Sequence, residues 1–269
     1  MNVNKTLVAL AVAASAMVSG SAMAWSQNSG GGTFEMSGSI SPVARAVPWE
    51  VKLGKVGLDV NVGNLSGKEI SHKVTGGALV VGVRSVGRGF IGQAVGGITP
   101  QVKYGVAFNG AFKDSVTTLT LNMLDKTDKS KKLGVVEMPL FSYGEVKVIA
   151  TPSVTSPSEI YHEMLYAAKA GDAFYGALPT AAGGVLGGDV GRMRITSVDS
   201  SVTSTFNTVR PTTPAQVTFR NRFDKVTDNF SGFYGGVIEK DAVVKFKLEN
   251  NLTAKLDWTA SLPITLTYM

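Results

Sequence analysis

The sequence predicts an all-β fold, a sandwich or barrel that carries a small helical insertion. Three observations lead there. Between residues 49 and 150, short β-rich runs recur about every 8–12 residues with Gly, Asn and Asp between them. One capped helical pattern then interrupts the series. Finally, residues 262–268 (LPITLTY) place Leu262, Ile264, Leu266 and Tyr268 in strict alternation with Pro263, Thr265 and Thr267, as in a strand that buries one face.

Residues 1–24 read as an export signal and are set aside from the fold. Lys5 supplies a positive start, residues 7–14 (LVALAVAA) a short apolar run, and Ala22-Met23-Ala24 the small-x-small pattern of a signal peptidase site. The run is too short for a membrane-spanning helix, and no later stretch approaches about 18 uninterrupted apolar residues.

Residues 25–42 form an extension. The triplet Gly30-Gly31-Gly32 reads as a tether. In the following residues 33–40 (TFEMSGSI), Phe34, Met36, Gly38 and Ile40 alternate with Glu35, Ser37 and Ser39, so this is a second one-faced strand. Gly38 on its apolar side marks close approach by another backbone. Bounded by the tether and by Pro42, the strand is detachable, and it is expected to pair with the last strand of a neighbouring subunit.

Residues 43–269 make the folded domain. Strands are expected at 51–53, 56–62, 69–74, 78–84, 102–108, 116–123, 134–139 and 145–149. An inserted subdomain spans about residues 151–190. Ser156-Pro157-Ser158-Glu159 has the form of a capping box with proline at the first helical position. Ile160, Met164 and Ala168 recur every four residues, and Gly171 ends the pattern, which predicts a helix over 157–170. Residues 173–188 are glycine-rich and read as irregular. Strands resume at 193–198, 216–219, 230–238 and 243–248, followed by a turn at Glu249-Asn250-Asn251, a strand over 252–258 and the terminal strand.

Composition excludes several function classes. An apolar content of 44% supports a real core, and the absence of cysteine rules out disulfides and thiol chemistry. Only His72 and His162 are available, without ligand-like spacing, so no metal and no cofactor is expected. Net charge is +6, yet no basic run is interleaved with aromatics, and no nucleic-acid partner is expected. The densest cluster, residues 126–132 (KTDKSKK), reads as an exposed loop.

Gly87-Arg88-Gly89-Phe90-Ile91-Gly92 satisfies G-x-G-x-x-G, but no helix pattern follows it, so it reads as a glycine-rich turn. There is no G-x-S-x-G, and Asp125 and Asp128 fall in a lysine-rich loop without apolar surroundings; the chain is not expected to be an enzyme. His72 and His162 are expected in surface or packing roles. Tyr161, Tyr166, Phe174 and Tyr175 cluster around the insertion, where aromatic rings either pack it onto the sandwich or stack on a sugar.

A one-faced terminal strand with nothing on its second edge is costly. Leaving about four apolar side chains uncovered forfeits roughly 1.5–3 kcal/mol each, and the sum rivals the net stability of a whole domain, about 5–15 kcal/mol. Strand addition from another molecule is the expected remedy.

The two ends carry a resemblance. The A-M-A signal end, E-M-S-G-S-I, Trp49-Glu50-Val51-Lys52-Leu53-Gly54, and Asp257-Trp258-Thr259-Ala260 through Ile264-Thr265-Leu266-Thr267-Tyr268 look like the FaeG-type fimbrial subunits of enterobacteria, as does G-V-V-E-M-P-L-F at 134–141. The resemblance implies an incomplete immunoglobulin-like fold whose missing strand is lent first by a periplasmic chaperone and then, at the outer-membrane usher, by the leader of the next fimbrial subunit. It makes Phe34, Met36, Gly38 and Ile40 the donor side chains and Leu262, Ile264, Leu266 and Tyr268 the acceptor edge. It also implies display on the bacterial surface and, in adhesive members, binding of host carbohydrate by a helical insertion. An outer-membrane β-barrel shares the export signal and the many strands, but its wall has no place for a helix at 157–170.

Overall fold

A computed structural model describes residues 46–61, 67–105, 107, 110–152 and 158–269. The expected export signal and the strand of Phe34, Met36, Gly38 and Ile40 lie outside the described residues. In chain order come β1 (Trp49–Leu53), β2 (Glu69–Lys73), β3 (Ala78–Ser85), β4 (Phe90–Ile91), β5 (Pro100–Lys103), β6 (Val116–Asp125), β7 (Lys132–Ala150) and β8 (Glu159–Leu165). The helix α1 (Val190–Val198) lies between 3-10 turns at Ala182–Gly184 and Ser200–Val202. After it follow β9 (Gln216–Thr218), β10 (Asn229–Ile238), β11 (Val243–Leu248), β12 (Trp258–Thr259) and β13 (Thr265–Tyr268).

The fold is all-β and immunoglobulin-like, and β7 is its hub. One edge of β7 pairs in succession with β11 and β10, the other with β6 and β8, all antiparallel. Among the described residues the main path runs β1-β3-β10-β7-β11-β2 without closing on itself, and β13 and β5 form a separate two-stranded sheet. One pair, β8 with β9, is parallel.

Alternation along the central strands divides the interior in two. From β7, Leu140, Val146 and Val148 face a core shared with Trp49, Phe174 and Tyr234. The intervening Phe141 and Tyr143, with Phe233 and Val237 of β10, face a second core under α1, where Ile195, Val202 and Phe206 meet them. The helix can lie this close because two glycines leave room. A Cβ on Gly191 would stand 2.3 Å from the Tyr143 ring, and one on Gly235 would stand 2.8 Å from Ile195.

Several expected elements differ. The helix over 157–170 is instead β8, a strand on the edge of β7 with Met164 opposite Glu145 and Tyr161 opposite Val148. A spacing of four is also a multiple of two, so Ile160 and Met164 suit a strand equally well, and the long free edge of β7 decides between them. The helix lies instead at Val190–Val198, where residues 193–198 read as a strand; Gly191 and Ile195, four apart, are its buried positions. The two strands expected at 134–139 and 145–149 are one continuous β7, the glycine at 144 lying within the ladder opposite Tyr234. Residues 54–61 form no strand, the strand from 102 ends at Lys103, and of 252–258 only Trp258 lies in a strand, the two-residue β12. The G-x-G-x-x-G stretch turns the chain from β3 into β4, with positive φ at Gly87 and Gly89.

Candidate functional site: an open groove beside the terminal strand

The last residues keep the alternation that the sequence shows. Leu262, Ile264, Leu266 and Tyr268 are each half-buried and packed against the main core, while Pro263, Thr265 and Thr267 are exposed. Four pairs join β13 to β5, from Thr265 opposite Lys103 to Tyr268 opposite Pro100. The far edge of β5 is covered by the insertion, where Val102 N donates to Tyr175 O at 2.9 Å and Phe174 N to Pro100 O at 2.6 Å. The outer edge of β13 has no strand beside it among the described residues. Half-burial of the Tyr268 phenol raises its pKa through desolvation.

Next to this terminal segment lies a groove of about 1070 Å³, beyond the usual ligand pocket of about 300–1,000 Å³. One wall is residues 252–264, including Leu262 and Ile264; the other is residues 53–61, with Leu58 and Val60. Its floor is made of core side chains: Leu119 and Met123 of β6, Val136 and Met138 of β7, and Phe246 and Leu248 of β11. Trp258 closes part of the wall edge-on to Phe246, with ring centroids 5.5 Å apart. Lys55, Lys126 and Lys255 flank the groove with Asp59 and Asp257. Core side chains of three strands thus form the base of a groove that runs beside the terminal segment. Of the four expected acceptor residues, Leu262 and Ile264 line the groove, and Leu266 and Tyr268 continue their row against the core.

The floor is what sequence reading missed. Leu119, Leu121 and Met123 alternate in the sequence as clearly as the terminal residues do, but alternation alone does not say whether the apolar face meets a partner or open space.

Hydroxyls tie the terminal sheet to the main one. Tyr104, just past β5, shares a hydrogen bond of 2.6 Å with Tyr234 of β10; Tyr234 meets Ser142 of β7 at 2.8 Å, and Ser142 donates to Ala177 O at 2.6 Å. Burial raises the Tyr104 phenol well above its ordinary pKa and pushes Tyr234 up to about 12.

Several other polar groups are paired internally. His162, expected in a surface or packing role on a helix, is buried on β8 with Nε2 3.0 Å from Glu145. Glu145 also accepts from the Tyr143 hydroxyl at 2.8 Å and from Arg192 of α1 at 2.7 Å. A smaller cleft of about 490 Å³ lies between β1 and the second 3-10 turn. There Lys52 pairs with Asp199 at 2.6 Å and Arg84 with Glu50 at 2.7 Å. Among the described residues no group of three or more His, Cys, Asp or Glu could hold a metal ion.

Of the four aromatics around the insertion, Phe174 is core, stacked on Tyr234 at 5.4 Å and edge-on to Trp49 at 5.6 Å. Tyr175 helps cover the edge of β5, and Tyr161 donates to the Glu159 carboxylate. Tyr166 pairs edge-on with Phe219 at 5.7 Å, and Phe219 is 42% exposed.

Comparison with known families gives one finding of wide extent. The family model for K88 fimbriae, described as fimbrial major and minor subunits, matches residues 3–269. No curated protein matches the chain.

Proposed function

The chain belongs to the K88 family of fimbrial major and minor subunits, and on that premise we infer that it is a structural, non-enzymatic subunit of an adhesive fimbria assembled by donor-strand exchange. The observation that carries this reading is the groove, based on core side chains and lying beside a terminal strand whose outer edge has no strand next to it among the described residues. A donor strand from a neighbouring subunit adds to that edge, and its Phe34, Met36, Gly38 and Ile40 descend into the groove beside Leu262, Ile264, Leu266 and Tyr268. Before assembly a periplasmic chaperone lends a strand to the same edge, and the outer-membrane usher exchanges one for the other on the way to the cell surface.

Deletion of residues 33–40 tests the assignment. The truncated subunit keeps its groove and accepts a synthetic peptide of residues 33–40, yet cannot extend a polymer. Polymers of unchanged length from the truncated chain would refute it.

Within the same reading, carbohydrate contact falls to Tyr166 of the insertion together with Phe219, which follows β9; the pair is a partly exposed aromatic surface. A glycan array probed with subunit completed by a fused copy of residues 33–40 should give signals that Phe219→Ala abolishes. A blank array would leave the subunit a purely architectural role.

A further inference from the structure

Both ends of the main sheet carry exposed aliphatic side chains. At the end where the described chain enters, Val86 N donates to Pro48 O at 3.1 Å, Val47 packs against the core, and the Trp49 ring meets Phe90 and Phe223 at 5.2 and 5.4 Å. Around this entry Val86, Ile91 and Val226 are 46%, 53% and 56% exposed. Val86 and Ile91 flank the turn between β3 and β4. The loop that bears Val226 is tied to the residue after Ile91, with Gly92 N donating to Asp228 O at 3.2 Å.

The register places the groove towards the other end. β1 runs from Trp49, opposite Ser85, to Leu53, opposite Val81. Leu53 and Val56, 63% and 51% exposed, belong to the groove wall just beyond it. The terminal strand runs the opposite way: Met269 and Thr99 exchange hydrogen bonds of 2.9 and 3.0 Å, and the Trp49 indole donates to Ile98 O at 2.7 Å, so Tyr268 finishes near the entry end. A strand laid antiparallel to β13, the more stable ladder, therefore begins near Tyr268 and leaves the groove towards Lys126 and Lys255.

The connection from that exit back to the donor's own body is short. Val47 is already fixed to the body, so six residues, 41–46, separate it from Ile40. Fully extended they reach about 25 Å. The entry end of the donor is thereby held close to the open end of the groove.

We propose that a second copy of this chain, in lending its strand, also seats Val86, Ile91 and Val226 over Leu53 and Val56, so that successive subunits join body to body as well as through the strand. This is a head-to-tail contact between different patches, which propagates instead of closing into a dimer. It rests on the strand-lending reading of the groove.

The absence of cysteine makes the test clean. A chain carrying Ile91→Cys and Val56→Cys, assembled through its own leader and treated with a short bis-maleimide, should give a ladder of covalent oligomers. The yield should exceed several-fold that of Val190→Cys with Val56→Cys, Val190 being 49% exposed on α1. Leader-dependent oligomers with equal yields at 91 and 190 would overturn the docking alone. Absence of any leader-dependent oligomer would remove the strand-lending reading and the docking with it. As a second check, Ile91→Asp with Val226→Asp alters only exposed positions. It should preserve leader-dependent oligomers while cutting the crosslinking of Val86→Cys to Val56→Cys; undiminished crosslinking would count against an apolar contact.

Discussion

The hydroxyl of Tyr104 lies 2.6 Å from that of Tyr234, inside the core, where it joins the small sheet that ends the chain to the large sheet. Tyr234→Phe removes this bond and the one to Ser142 while leaving the ring in place. Losing the two buried hydrogen bonds costs about 0.5–1.5 kcal/mol each, so the midpoint of urea unfolding for the strand-completed subunit should fall accordingly. An unchanged midpoint would mean that the hydroxyls contribute no net stability.

Gly191→Ala should dislodge α1. The added Cβ would stand 2.3 Å from the Tyr143 ring, and overpacking of this kind costs about 1–3 kcal/mol. Limited proteolysis should cut near residues 185–200 faster than in the parent, with the groove intact and still accepting the peptide of residues 33–40. Equal cutting rates would show that the helix shifts without loss.

Ile264→Asp places a carboxylate on the groove wall, where an incoming apolar strand would bury it. Calorimetry with the peptide of residues 33–40 should show affinity reduced by at least about tenfold, equivalent to 1.4 kcal/mol. Thr265→Asp, on the exposed side of the same strand, should bind nearly as well as the parent. Similar losses at both positions would show that the alternation does not govern the contact.

The bonds that hold the turn after α1 to β1 carry a pH signature. Burial tends to raise the Asp199 carboxyl, but its bonds to Lys52 and Ser201 outweigh that, and its pKa is lowered. The stability it supplies is therefore complete above the ordinary carboxylate range and is lost as pH falls through the depressed value. Thermal scans of the parent and Asp199→Asn should differ at neutral pH, begin to converge below about pH 4, where an ordinary Asp protonates, and meet only below the depressed value. A constant gap down to the acid limit would rule out this carboxylate as the cause.

Legibility from sequence followed the physics of each segment. The terminal alternation could be read because Leu262, Ile264, Leu266 and Tyr268 obey a rule that is local to the strand, and the structure places all four on one half-buried face. The family's end motifs were equally local. The insertion was misread where two rules overlap: the spacing of Ile160 and Met164 suits both a helix and a strand, and its outcome depends on β7, a free edge ten or more residues away in the chain. Residues 193–198 mislead in the opposite direction, because Ile195 is placed by the gap that Gly235 leaves in another strand. The groove floor was invisible for a related reason. Each of its strands reads as ordinary, and only their assembly brings Leu119, Val136 and Phe246 together at the base of one groove.

The nineteen-residue β7 bears on how such a filament would respond to pulling. Its ladders with β6, β8, β10 and β11 lie along the direction of the strand. Tension transmitted parallel to it loads the hydrogen bonds in shear, so that many must break together, whereas a hairpin opened from its end unzips one pair at a time. A subunit hauled along this axis would stretch little before failing abruptly.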